Sequence, residues 1–321
     1  MIVGHRAVVA AIAMTACQHD ANLGTTAAVG TDPVDAAPVN SWRVHGTWTG
    51  EHPRAIAGTT FLDVWIVGKR GAIWRWGETS FLAATSLDPA IGFDAVWVGS
   101  PARAYAVGAR DDGAPQLLAW DGATWTPEPT PASGALTGVS GSASVGLAST
   151  FLRRSTAGTW QLQSGPDLVT APEDVWSSGP GGDIWIAGTT GLRRFRDTDG
   201  ALVADYPGDA VFGVWGRAAD DVWAVGAGAI QHWDGTMWTA TPTPNHLPLR
   251  AVWAASADRA WAVGDAGTLL RWDGAAWSVD PPVVSWDLNG VWGVNETNVF
   301  AVGSSPSIGG VLRYGEGVIG L

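Results

Sequence analysis

One six-residue phrase recurs along the whole chain. Asp221–Gly226 (DVWAVG) returns as Arg259–Gly264 (RAWAVG) and Asn298–Gly303 (NVFAVG). Upstream it reads Asp63–Gly68 (DVWIVG), Arg103–Gly108 (RAYAVG) and Asp183–Gly188 (DIWIAG). Positions 108 and 188 lie 80 residues apart, and a worn copy, Val145-Gly146-Leu147-Ala148, sits midway. The chain is therefore seven units of 38 to 40 residues. A period of that size belongs to propellers and solenoids, whose units bury their apolar faces only against their neighbours.

Each unit reads as four short strands. In residues 211–239, Val211–Trp215 is apolar and β-prone, Asp221–Gly226 is the second strand and Ile230–Trp233 the third. Asp234-Gly235 then predicts a two-residue type I′ hairpin turn, leading into a fourth strand over Thr236–Thr239. The same Trp-Asp-Gly-x-x-Trp pattern spans Trp120–Trp125 and Trp272–Trp277. A second aromatic series, Trp97, Trp176, Trp215, Trp253 and Trp292, precedes the second-strand aromatic by eight or nine residues. That spacing across a hairpin places bulky rings where neighbouring sheets meet. Val44–Thr49 resembles the turn and fourth strand of a unit, yet it precedes the first full unit. It is expected to supply the outer strand of the last blade and so remove a free sheet edge. The expected architecture is all-β: a seven-bladed β-propeller of four-stranded antiparallel blades over residues 41–321, with an N-terminal strand closing the last blade.

Composition narrows the partners. The formal charge is −12, with one lysine, Lys69, against 17 arginines. An acidic chain without a basic stripe argues against nucleic acid. The single cysteine, Cys17, excludes an intramolecular disulfide. It follows a short n-region with one arginine and an apolar stretch, Ala7–Ala13, too short to span a bilayer. Met14-Thr15-Ala16-Cys17 resembles a bacterial lipobox. The resemblance implies a lipoprotein signal peptide over 1–16, a lipid on Cys17 and a cell-envelope location, with a secreted protein as the alternative. Gln18, where an Asp would signal inner-membrane retention, points to the outer membrane. Residues 17–40 are small, polar and Pro-containing, the composition of a flexible tether.

The Trp-rich units resemble the propeller lipoproteins abundant in myxobacteria and other bacteria with GC-rich genomes. More distantly they are similar to Asp-box repeats of bacterial neuraminidases and to photosystem II assembly-factor propellers. Asp121-Gly122-Ala123-Thr124-Trp125 approaches the Asp-box pattern Ser-x-Asp-x-Gly-x-Thr-Trp but is one residue shorter. The resemblance implies a fold more than an activity, because propellers host many functions.

No catalytic constellation emerges. Glutamate is scarce, the three tyrosines are at 105, 206 and 314, and the histidines after Cys17 (19, 45, 52, 232 and 246) have no ligand spacing. No cofactor or metal is expected, and the chain reads as a non-enzyme, with an enzyme as the alternative. Asymmetry guides the search for a ligand face, since loops on one rim of a rigid scaffold commonly carry function. The loop between strands two and three is expected to be longer at Ala109–Gln116 (Arg110, Asp111, Asp112) and at 304–310 (Ser305). The equivalent loop in unit one holds Lys69 and Arg70, and His246 lies in a blade-to-blade connection on the same rim. A second candidate is a basic patch on third strands: Arg153, Arg154, Arg193, Arg194 and Arg196. The expected function is a monomeric, non-catalytic binding scaffold for an envelope protein or polysaccharide. A glycan-cleaving hydrolase or lyase, and an assembly factor for an envelope complex, are the alternatives.

Overall fold

The computed structural model describes residues 40–315, apart from 78, 142–144, 148–150, 156–157 and 164–170. All of these belong to the compact unit that spans residues 33–321. The predicted signal peptide, Cys17 and all but the last residue of the tether lie outside the described residues.

The described residues form an all-β propeller of four-stranded antiparallel blades. Six blades are built from consecutive strands, over residues 53–86, 91–127, 138–162, 172–207, 211–242 and 249–279. A seventh sheet combines residues 287–315 with the N-terminal strand Ser41–Thr49, which runs antiparallel to Ile308–Gly315 as its outermost member. The innermost strands touch in sequence order, and Asp287–Asn295 returns to Pro53–Ala57, so the ring closes.

Aromatic rings join the blades. Trp185, fully buried on the second strand of blade 4, meets Trp233 at 5.3 Å and Trp238 at 5.1 Å in blade 5. Trp223 of blade 5 meets Trp272 and Trp277 of blade 6 in the same way, and Trp65 of blade 1 meets Trp120 and Trp125 of blade 2. The two tryptophans of Trp-Asp-Gly-x-x-Trp thus grip the repeat-phrase aromatic of the preceding blade. Near-perpendicular contacts such as Trp185–Trp238, at 85°, set the electropositive edge of one ring against the face of another. Blade 7 lacks that motif. Tyr314 takes the third-strand place against Trp261 (5.5 Å), and Trp42 of the N-terminal strand takes the fourth-strand place, 5.4 Å from Tyr314. Trp48, the tryptophan of the Val44–Thr49 segment, stacks instead on Trp74 of blade 1.

The Asp-Gly turns also differ from expectation. Trp233 pairs directly with Trp238, so residues 234–237 form a four-residue loop instead of a two-residue type I′ turn. The Asp234 carboxylate holds that loop by accepting from the Thr236 hydroxyl (2.7 Å) and from the Thr236 and Met237 amides (2.8 Å each). These bonds, the Thr236 hydroxyl foremost, lower the Asp234 pKa to about 2. Asp121 and Asp273 do the same work in blades 2 and 6. The aspartate is selected as an Asx-turn acceptor, and only the glycine needs a positive φ, +95° at Gly235.

The closing glycine of the repeat phrase has a steric cause. In six blades the innermost strand carries one extra residue, a β-bulge, and the residue before it pairs with that glycine: Pro53 with Gly68, Phe93 with Gly108, Pro172 with Gly188, Val211 with Gly226, Leu249 with Gly264 and Leu288 with Gly303. The kinked strand drives a backbone carbonyl over the glycine. A Cβ at Gly226 would fall on the Ala210 oxygen, one at Gly264 on Pro248 and one at Gly303 on Asp287. Glycine is required for close approach, not for an unusual φ.

A candidate ligand site at the channel mouth

A bulge re-aims the side chain of its extra residue. Here the extra residues are Arg54, Asp94, Glu173, Phe212, Arg250 and Asn289. With Thr137, the matching position of blade 3, they line one central channel of about 860 Å³ bounded by all seven innermost strands. Each stands three residues before the position held by Trp97, Trp176, Trp215, Trp253 or Trp292, or by Ala57 and Ser140 in blades 1 and 3. The channel therefore has a mouth ring of one residue per blade, polar except for Phe212, and a tryptophan-rich wall beneath it. Those tryptophans also pack between blades as expected: Trp176 lies against Gly216 of blade 5 and Trp253 against Gly293 of blade 7.

The mouth breaks the symmetry of the ring. In blade order it reads Arg54, Asp94, Thr137, Glu173, Phe212, Arg250, Asn289, so cations occupy one arc and carboxylates the opposite one. Two members are neutralised by the protein itself: Asp94 by Lys69 at 3.0 Å, and Arg250 by Asp265 at 2.5 Å and Asp287 at 3.4 Å. Arg54 and Glu173 are exposed, and neither has an ion-pair partner among the described residues.

Next to Glu173 stands Asp174, where the other blades have only Ala or Gly. Its carboxylate accepts from the amides of Val175 (2.8 Å) and Val214 (2.9 Å), tying blade 4 to blade 5. Burial pushes its pKa up to about 7, the two amide bonds pull it down, and the Glu173 charge adds to the rise. The folded state thus holds a proton that the unfolded chain releases near pH 4, so stability falls as pH rises from about 4 to about 7 and is level above. At about 1.4 kcal/mol per pKa unit, reduced because the side chain still reaches the channel, Asp174 contributes on the order of 2–3 kcal/mol to that slope. Thermal denaturation at pH 4.5 and pH 8 checks this: Asp174→Asn is expected to lose less stability across that interval than wild type. Parallel profiles would remove Asp174 as the source.

The sequence-predicted loop residues share this face, because strand-two to strand-three loops bond to the start of an innermost strand: Gly71 N to Ile91 O of the next blade at 2.6 Å, and Asp111 N to Ala90 O of its own blade at 2.8 Å. Only Lys69 reaches the mouth ring. Arg70 and His246 are left-handed turn residues, with φ of 64° and 56°. Arg110 pairs with Asp88 at 2.7 Å, Asp112 caps its own turn by accepting from Ala114 N, and Ser305 closes on Ile308 O. The expected loop extensions are mostly strand: pairing continues to Ala109–Pro115 and to Ser304–Gly309, leaving short tips.

The five third-strand arginines are each met by a carboxylate: Arg153 by Asp197 (3.4 Å), Arg154 by Glu128 (2.7 Å), Arg193 by Asp205 (3.1 Å), Arg194 by Asp183 (2.7 Å) and Arg196 by Asp199 (2.9 Å). Arg154 also lies over Tyr105 and Arg194 over Trp185, as Arg75 lies over Trp65. These cations pack on the repeat-phrase aromatics. No group of three His, Cys, Asp or Glu side chains converges as metal ligands among the described residues.

Sequence reasoning missed the mouth ring. The signal was available: aligning the units on Trp97, Trp176, Trp215, Trp253 and Trp292 exposes one column in which the repeat stops repeating.

No family model and no curated protein matches the sequence. Among solved structures, the fold is similar to YCF48 bound to a D1 peptide, at 15% identity and a TM-score of 0.64, covering 88% of this chain and 99% of that one. It is also similar to a streptogramin B lyase (16% identity, TM-score 0.68, 86% and 98% covered) and to U3-55K (11%, 0.67, 86% and 98%). At such identities the likeness carries the fold alone.

Proposed function

We propose that this protein is a non-catalytic, seven-bladed binding scaffold of the cell envelope, anchored by a lipid on Cys17, that holds a segment of a partner protein at the channel mouth. The observation that carries the reading is the bulge ring. Six of the seven blades use the same bulge to present one side chain to one cavity, blade 3 supplies Thr137 at the matching position, and that side chain is the position the repeat leaves free to vary. The YCF48 structure, in which a propeller of this kind holds a D1 peptide, supports a protein segment over a polysaccharide as the occupant. An assembly factor for an envelope complex is one form such a scaffold takes.

The test is site-specific photocrosslinking in native membranes. A photoreactive residue at Phe212, on the mouth, is expected to capture one protein in stoichiometric yield. The same residue at Leu162, exposed on the outermost strand of blade 3, is expected to capture none. Equal capture at both positions, or none at either, would count against the mouth as the protein-binding face. A polysaccharide in the Phe212 adduct would replace protein by glycan. A lyase or hydrolase is the second reading, favoured by Asp174, whose pKa of about 7 suits proton transfer beside Glu173. Turnover of a polysaccharide that stops in Asp174→Asn would establish it.

A further inference from the structure

Resting on the reading of the mouth as the ligand face, but not on a partner-protein segment as its occupant, we infer that the occupant is zwitterionic: a short peptide with both ends free, its carboxylate on Arg54 and its ammonium on Glu173. The ring order sets these two residues apart. Arg54 belongs to blade 1 and Glu173 to blade 4, three places apart in a closed ring of seven, hence on opposite walls of one channel. The two other charges of the ring are already satisfied, Asp94 by Lys69 and Arg250 by Asp265 and Asp287. What the mouth offers a ligand is therefore one free guanidinium and, across from it, one free carboxylate. A ligand of a single sign would meet attraction on one wall and repulsion on the other. A dipolar ligand of matching span meets attraction on both, through charge-assisted hydrogen bonds stronger than neutral ones.

The rest of the cavity suits a peptide. Phe212 and Asn289 stand between the charged walls on the ring, giving one apolar surface and one amide. Tryptophans from five blades line the wall below, where a side chain would be desolvated. A volume of about 860 Å³ lies within the usual range of small-ligand pockets and admits a few residues.

The test uses the full-length protein and the tripeptide Ala-Phe-Ala with free ends, titrated calorimetrically beside its N-acetylated and C-amidated forms. Saturable binding of the free peptide is expected, weakened at least tenfold by blocking either end. Arg54→Gln is expected to bind the free and amidated peptides equally, and Glu173→Gln the free and acetylated ones equally. Both side chains are exposed, and unchanged melting temperatures would show that the variants fold. Equal binding of all three probes to wild type, or no saturable binding at 10 mM, would overturn the zwitterion assignment. In that event a single protein captured at Phe212 would still uphold the ligand face, whereas failure of both experiments would remove the face as well.

Discussion

Gly226→Ala is expected to lower the melting temperature by roughly 6–12 °C, the equivalent of about 3 kcal/mol in a domain of this size. The cause is local. The new methyl would be superimposed on the Ala210 carbonyl oxygen, which lies over Gly226 because the next strand bulges at Phe212. The adjacent Ala227 amide donates to that same oxygen at 2.9 Å, so moving the carbonyl away breaks a hydrogen bond. The bulge and the glycine are one device, and the substitution should also displace Phe212 from the mouth. Gly208→Ala is the control: nothing lies within 4 Å of its Cβ position and its φ is not in the left-handed region. It is expected to be neutral or to stabilise by up to about 1 kcal/mol through the unfolded chain. Scanning calorimetry of the two variants checks the contrast. Equal melting temperatures would mean that the repeat-phrase glycine is not sterically required.

Deleting residues 1–49 is expected to have the larger effect, leaving little or no soluble monomer. The N-terminal strand pairs with Ile308–Gly315 over eight register positions and inserts Trp42, only 6% exposed, into the seam between blades 6 and 7. Trp42 touches Tyr314, its indole nitrogen donates to Asp280 at 3.2 Å, and Arg271 holds Asp280 from the other side at 3.3 Å. Without the strand the ring loses its join and exposes a long, apolar edge that invites pairing between chains. Trp42→Ala isolates the packing part and is expected to cost about 3–5 kcal/mol. Size-exclusion chromatography and thermal melts report both. A deletion that stays monomeric and melts within a few degrees of the full chain would show that the strand is ornamental.

The repeat phrase marks the second strands, because Trp223 and its aromatic counterparts are buried in six blades for the same reason. The Asp-Gly pattern marked the right place for a turn but the wrong turn, since the spacing alone does not distinguish a two-residue hairpin from a loop held by Asp234. The third-strand arginines read as a patch because their periodicity is visible in the sequence, while the pairing of Arg153 with Asp197 and of Arg154 with Glu128, 44 and 26 residues away, is not. The role of Trp42 is not legible in the sequence because its partner Tyr314 lies at the far end of the chain.

By itself the sequence determined the all-β class, the unit length and the closure of the last blade by an N-terminal strand, since each follows from local spacing. Only the tertiary structure decided where a ligand could sit. The mouth ring collects one residue from each of seven units separated by about forty positions, and in six of them a bulge in the innermost strand turns that residue toward a common axis. A periodic sequence hides such a site, because what makes it is the juxtaposition of unlike residues at like positions, and that arises only when the ring closes.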